Sequence, residues 1–389
     1  MQYRQRAWAE ISLDALSHNV QSIQAVLSGG TQFCAVVKAD AYGHGEEFIC
    51  RKLHDIGVRF YAVSSFEEAM RVRKWCPEGE ILILGYTSPE CAPMLAEHNI
   101  LQAVVSGEYA AALSAQALPG KPVRCHIKLD TGMGRIGVPA RDKARCLSEV
   151  ETILSLKGLT IEGLFTHFAA ADEETPDHVD YTNRQEAALF DTYKALEARG
   201  IRLPHVHCMN SAAICYRNNP ESTLARAGII MYGLMPNAAL SMPLDLQPVL
   251  ELRSRISHIK TVDAGTCISY GRTYVAEHTQ KIATVTIGYA DGYSRLLSGK
   301  GEVLVCGVRC PVVGRICMDQ LMIDIGAVPD AQVGTVVTLI GRDGSDCITA
   351  DEVAGKYGTI GYEVVCGISK RVPRIFRDRG VLVHEDSLV

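Results

Sequence analysis

Between residues 33 and 231 the chain alternates short apolar runs with longer amphipathic stretches, and no other feature of its 389 residues restricts the fold as strongly. Apolar runs too short for helices, each followed by enough chain for a crossover helix, are the pattern of a parallel sheet built from βα units. Eight runs are readable: Phe33–Lys38, Phe60–Val63, Ile81–Leu84, Gln102–Val105, Arg124–Leu129, Ile161–Phe165, His205–Met209 and Thr223–Ala227. Helix starts fall between them, a capping box from Ser65 to Glu68 and an N-cap with first-turn proline at Ser88 and Pro89. Eight such units predict an α/β fold, a (β/α)8 TIM-like barrel.

After about residue 240 the texture changes to β-rich runs at Glu251–Val262, Lys281–Gly288, Glu302–Val308, Gln320–Ile325 and Thr335–Ile340, joined by Gly, Asp and Pro turns. One helix is expected among them, opened by a capping box from Thr349 to Glu352. The joint falls between Met235 and Pro248, where Pro236, Pro243 and Pro248 punctuate a stretch without periodicity. Two domains are therefore expected, a barrel over 1–238 and a mainly β domain over 239–389.

The net charge is −5 and no basic stripe or tail is present, so neither nucleic acid nor an anionic lipid surface is an expected partner. A small molecule is. The first residues lack the apolar stretch of ~7–15 residues that a signal peptide needs, and no later run approaches ~18 apolar residues, so a cytoplasmic location is expected. Fourteen cysteines are scattered without a CxxC pair and read as buried thiols. Cys306, Cys310 and Cys317 match no common zinc spacing, and no metal is expected.

In a (β/α)8 barrel the working groups stand where strands end. The first run ends in Lys38; the fifth carries Lys128 and leads to Arg135; His167 follows the sixth. Ser211 follows the seventh, and the eighth carries Arg226, then Gly228 and Ile229. A lysine at a barrel mouth loses pKa through desolvation, which makes its amine nucleophilic toward a carbonyl. Alone, such a lysine is more often a snorkelling or paired one, and Lys38 by itself proves little. The loops after strands seven and eight are this fold's usual phosphate cradle, although Gly228 alone also reads as a turn glycine.

Several motifs together resemble the alanine racemase family. They are AVVKADAYGHG (35–45), KLDTGMGRIG (128–137), THF (166–168), NSAA (210–213) and ARAGIIMYG (225–233) in the barrel, then ISYGR (268–272), IGYADGY (287–293), VGRICMD (313–319) and the stretch 362–374. The resemblance covers nearly the whole chain. It implies pyridoxal phosphate as cofactor, held as a Schiff base by Lys38, with Tyr42, Ser211, Gly228, Ile229 and Tyr362 at its phosphate. It further implies Arg226 at the pyridine nitrogen, and Arg135 at the phenolic oxygen and the substrate carboxylate. Lys128, often carbamylated in relatives (N6-carboxylysine), would hold Arg135. Tyr270, the second base, and the amide of Met318 would come from the partner subunit of a homodimer. Tyr289, Arg295, Arg315 and Asp172 match positions lining the substrate entrance.

The residue types suit racemisation. An arginine keeps its proton at neutral pH and so leaves the pyridine nitrogen unprotonated, whereas decarboxylating and transaminating relatives place a carboxylate there. Two bases on opposite faces invert a centre by proton transfers alone. One hydrogen bond to a charged group supplies only ~1.5–3 kcal/mol, less than a phenol needs to act as a base near neutrality, so a network from Tyr270 through His167 to Arg226 is expected. His167 alone equally reads as a structural histidine. The expected activity is the interconversion of L- and D-alanine, feeding cell-wall synthesis or D-alanine breakdown. The alternatives are a serine or broad-specificity racemase, a barrel decarboxylase, and a non-catalytic pyridoxal-phosphate carrier.

Overall fold

The computed structural model describes residues 5–217, 219–237, 239–241 and 243–385. Its first eleven strands are β1 (Ala7–Ser12), β2 (Gln32–Val36), β3 (Phe60–Val63), β4 (Glu80–Ile83), β5 (Ile100–Val104), β6 (Val123–Asp130), β7 (Val138–Pro139), β8 (Leu159–Phe165), β9 (His205–His207), β10 (Leu224–Ala227) and β11 (Leu250–Val262). Eight of them run parallel in the order β10-β2-β3-β4-β5-β6-β8-β9, and a parallel bridge from Met209 to Ala225 brings the ends together. These are the eight runs read from the sequence. Their side chains are almost wholly buried, which is why they read as continuous apolar segments.

The first run ends at Val36, short of Lys38, because the chain leaves the sheet there for a turn of opposite hand. The helix Phe66–Trp75 starts as expected, with Ser65 Oγ accepting the Glu68 amide at 3.3 Å. Ser88 does not cap: Pro89–Cys91 is a short 3-10 turn, and the serine side chain bonds to none of its amides.

The second sheet has ten strands. Its centre is β11, which pairs antiparallel with β1, with Gln280–Val285 and with Val336–Asp343. β1 also pairs in parallel with Arg374–Asp378. The chain therefore contributes its first strand to the second sheet, although the expected division assigned it to the barrel; Ala238, the last residue of that expected barrel, lies outside the described residues. Ser12 ends β1 and caps the first barrel helix, Leu13–Val26, by accepting the Ala15 amide at 3.1 Å. Among the described residues two α-helices, not one, interrupt the β domain: Ala350–Tyr357, capped by Thr349, and Gly361–Cys366, too short to show a helical period. The second carries Tyr362 to the barrel mouth. There a Cβ on Gly43 would lie 2.4 Å from the Val365 carbonyl oxygen, so only glycine lets the two backbones approach so closely.

Candidate active site

Lys38 is followed by four non-glycine residues, Ala39 to Tyr42, all at φ near +54°. A left-handed turn costs an L-residue roughly 1–2 kcal/mol, so these four store about 4–8 kcal/mol. Backbone strain of this kind persists only where surroundings over-determine it. The Ala41 and Gly43 amides bond to the Val37 and Ala39 carbonyls. His44 Nδ1 donates to the Ala41 and Tyr42 carbonyls, its ring stacks on Tyr232, and Arg374 donates twice to the Gly43 carbonyl. One turn of helix, of either hand, puts residues four apart on one side. Lys38 and Tyr42 accordingly line the same cavity of about 760 Å³ at the C-terminal ends of the barrel strands.

The cavity also receives Lys128, Arg135, His167, Ser211, Arg226 and Gly228. Burial first, and then Arg135, hold the Lys38 amine below the usual lysine range, while Glu68 and Cys366 oppose them. Lys128 is pushed down to about 8, by burial and then by Arg135 and Arg226. The loop that carries Arg135 is shaped by Asp130, whose Oδ1 accepts the Gly132 and Gly134 amides. On the far side the Gly228 amide donates to Ser211 Oγ at 2.9 Å. A Cβ on Gly228 would lie 2.8 Å from Tyr42 Oη and 3.4 Å from Ser211 Oγ, so hydroxyls and backbone crowd one small cradle. Tyr362 closes its rim, its ring 6.3 Å from that of Tyr42. Ile229 opens the adjacent 3-10 turn with its side chain buried, leaving only its backbone available to a ligand.

Arg226 is 3% exposed, and burial lowers its pKa to about 10, so it stays cationic at neutral pH. Its Nη2 donates to the Thr166 and Cys208 carbonyls at 2.8 and 3.2 Å. Its contact with His167 Nδ1 is long, 3.5 Å; the short one, 2.6 Å, is with His207 Nδ1. The Arg226 end of the expected network thus rests mainly on a different histidine. Arginine only donates, so His207 Nδ1 accepts and its Nε2 carries the hydrogen that goes to His126 Nδ1 at 3.0 Å. His126 Nε2 then bears a hydrogen with no partner among the described residues. Burial holds both imidazoles well below the usual range, and His167 likewise, the last with help from Arg226 and Arg135. Neither His126 nor His207 was singled out from the sequence. A histidine inside an apolar run gives no sign of facing an arginine on the next barrel strand, 19 residues on.

Tyr270 does not reach this cavity within one chain. It sits at a turn where Ser269 and Arg272 flank it at positive φ, and it is 67% exposed. Ser269 Oγ donates to the Arg315 carbonyl at 2.6 Å, and the Tyr289 and Ala290 amides donate to the Cys317 and Met318 carbonyls. Tyr270, Arg315, Met318 and Tyr289 are thereby gathered on one face of the β domain, with Met318 53% and Tyr289 40% exposed. Asp172 lines the Lys38 cavity; Arg295, in a separate 3-10 turn, does not.

Two family models match the chain, the alanine racemase N-terminal domain over residues 11–236 and the alanine racemase C-terminal domain over 249–376. An alanine racemase of Desulfovibrio desulfuricans is 45% identical over 370 residues, 95% of this chain and 97% of that protein. Among solved structures, an alanine racemase of Clostridium difficile superposes with a TM-score of 0.92 at 37% identity, covering 100% of both chains. One from Bacillus anthracis with bound L-Ala-P gives 0.91 at 36%, covering 99% and 98%. With both halves of the chain matched in order and the fold shared from end to end, the chain belongs to the alanine racemase family.

Proposed function

We propose that the chain is a pyridoxal-phosphate-dependent alanine racemase that interconverts L- and D-alanine, working in the cytoplasm as a homodimer with shared sites. The observation that carries this reading is a single cavity holding a lysine amine of lowered pKa and a buried guanidinium that keeps its proton. The donor set fits the cofactor: an amine at Lys38, hydroxyls and a close backbone at Ser211, Gly228, Ile229, Tyr42 and Tyr362 for a phosphate, and Arg226 for the ring nitrogen. Pyridoxal phosphate, when bound, accepts electrons from the bond broken at Cα of an amino acid. Arg226 holds its own proton and so leaves the ring nitrogen without one, which favours prompt return of a proton to Cα. Lys38 Nζ moves that proton on one face and Tyr270 Oη on the other. Arg135 orients the substrate carboxylate by paired donors. Tyr362, at the rim, limits the space for the side chain, and the bound L-Ala-P of the Bacillus anthracis relative supports a methyl-sized one.

Lys128 suits carbamylation, since a neutral amine attacks carbon dioxide and gives up a proton, and an amine of pKa about 8 is partly neutral near physiological pH. The product is an anion beside Arg135. The exposed cluster of Tyr270, Met318 and Tyr289 supplies what the Lys38 cavity lacks in one chain, so a partner subunit completes each site. The barrel and the β domain, the latter including β1, then act in trans, the barrel of one subunit facing the β domain of its partner. Among the described residues no helix is long and apolar enough to cross a membrane. The test is a chiral product assay on L-alanine and L-serine beside Lys38→Ala and Tyr270→Phe. The lysine variant is expected to lose both visible absorbance and turnover, and specific activity is expected to fall on dilution. Colour and turnover retained by Lys38→Ala would refute the reading.

A further inference from the structure

The capping box that the sequence suggests at Ser65 and Glu68 is only half formed. Ser65 Oγ takes the Glu68 amide, but the Glu68 carboxylate is directed elsewhere: one oxygen accepts the Ala39 amide at 2.8 Å and the other accepts the Ser64 amide at 2.7 Å. Ala39 directly follows Lys38, and Ser64 directly follows β3, so this carboxylate ties the lysine turn to the neighbouring barrel strand. Inside the turn, the Ala41 and Gly43 amides find acceptors in Val37 and Ala39. The Ala39 amide, at the start, finds its acceptor outside the turn. The leading amides of a helical turn lack acceptors of their own and favour a negative charge nearby, and an ionised carboxylate meets both needs.

We infer that Glu68 is a positioning residue that fixes the left-handed turn, and with it the Lys38 amine, for attachment of the cofactor. This rests on Lys38 being the residue that holds pyridoxal phosphate. The charge of Glu68 also works on the amine itself, favouring its cationic form against burial and Arg135. Lys128, His167 and Cys366 also face that amine.

The experiment follows release of cofactor from the holoenzyme into excess hydroxylamine by decay of visible absorbance, after recording the visible circular-dichroism band. Glu68→Ala is expected to release cofactor ~10-fold or more faster than the unaltered enzyme, the size of one lost charge-assisted hydrogen bond, and to change the dichroism band. Glu68→Gln keeps an oxygen for one of the two amides and is expected to fall between. Ser65→Ala loses the cap of the same helix and keeps the tie, so its release rate is expected to match the unaltered enzyme. Unchanged release from Glu68→Ala, or equal acceleration in Ser65→Ala, overturns the inference. Should Glu68→Ala not fold, Glu68→Gln decides alone, and release at the unaltered rate is then the overturning result. Borohydride reduction and peptide mapping run in parallel: cofactor mass on a peptide lacking Lys38 sinks the reading of Lys38, whereas mass on Lys38 with unchanged release sinks only the role of Glu68.

Discussion

Replacing His207 by leucine tests the account of Arg226 most directly. The guanidinium donates to His207 Nδ1 at 2.6 Å, and His207 Nε2 donates on to His126 Nδ1 at 3.0 Å, all within the buried barrel. The leucine variant removes the first bond, worth about 1.5–3 kcal/mol because one partner is charged, and leaves His126 Nδ1 without a donor, about 1–3 kcal/mol more. Leucine fills much of the ring's volume, so the cavity contribution is small. The expected loss is about 2.5–6 kcal/mol, a large fraction of the about 5–15 kcal/mol that stabilises a typical native protein. His207→Asn places an amide oxygen close to the position of Nδ1, keeps the bond to Arg226, and is expected to lose about half as much or less. The assay is urea unfolding followed by far-ultraviolet circular dichroism. Equal unfolding midpoints for the two variants would show that the bond to Arg226 contributes nothing. The pH dependence adds a sign. The His207 pKa is depressed in the folded chain, so its contribution is full above the unfolded pKa of ~6.5 and is lost as pH falls below it, where the unfolded imidazole takes a proton the folded one refuses. The leucine variant loses that share of the slope, while His126, His167 and His44, also depressed by burial, keep theirs.

Gly228→Ala puts a methyl 2.8 Å from Tyr42 Oη and is expected to weaken cofactor binding ~10–100-fold, as loss of one or more hydrogen bonds to a phosphate would; equilibrium dialysis against pyridoxal phosphate measures it, and unchanged affinity refutes the cradle. With Lys128 at about 8, a carbamate signal in carbon-13 NMR under labelled carbon dioxide is expected to grow as pH rises from ~6 to ~8 and to be absent from Lys128→Ala; persistence in that variant assigns the signal elsewhere. Thr349→Ala removes a cap whose Oγ1 takes the Glu352 amide at 3.0 Å and is expected to cost ~1 kcal/mol, whereas Ser88→Ala, which removes no cap bond, is expected to stay within ~0.5 kcal/mol of zero. Equal costs in denaturant titration would undo that contrast.

The contrast between those two caps shows what a sequence makes legible here and what it hides. Strands buried on both faces announce themselves residue by residue, because every position in Phe60–Val63 or from Ile81 to Ile83 meets the same apolar demand, and the polar groups that end them mark the barrel mouth. The pairing of β1 with a strand beginning at Leu250 has no local signature, since nothing between Ala7 and Ser12 depends on which edge it will meet. Tyr270 and Met318 carry no local sign of function either; they were singled out only by resemblance, and one chain leaves both exposed.

The turn after Lys38 is the sharper case. Ala39 to Tyr42 contains no glycine and would favour a right-handed helix by intrinsic propensity. Its hand is imposed by partners far along the chain, the Glu68 carboxylate, the Arg374 guanidinium and the Tyr232 ring. Glu68 is read locally as half of a capping box because the pattern is real and the serine half forms; its carboxylate is diverted by a backbone amide 29 positions earlier. The residue that most needs tertiary context is thus hidden behind a local reading that is half right. The same diversion accounts for strain being stored beside the amine on which the proposed chemistry depends.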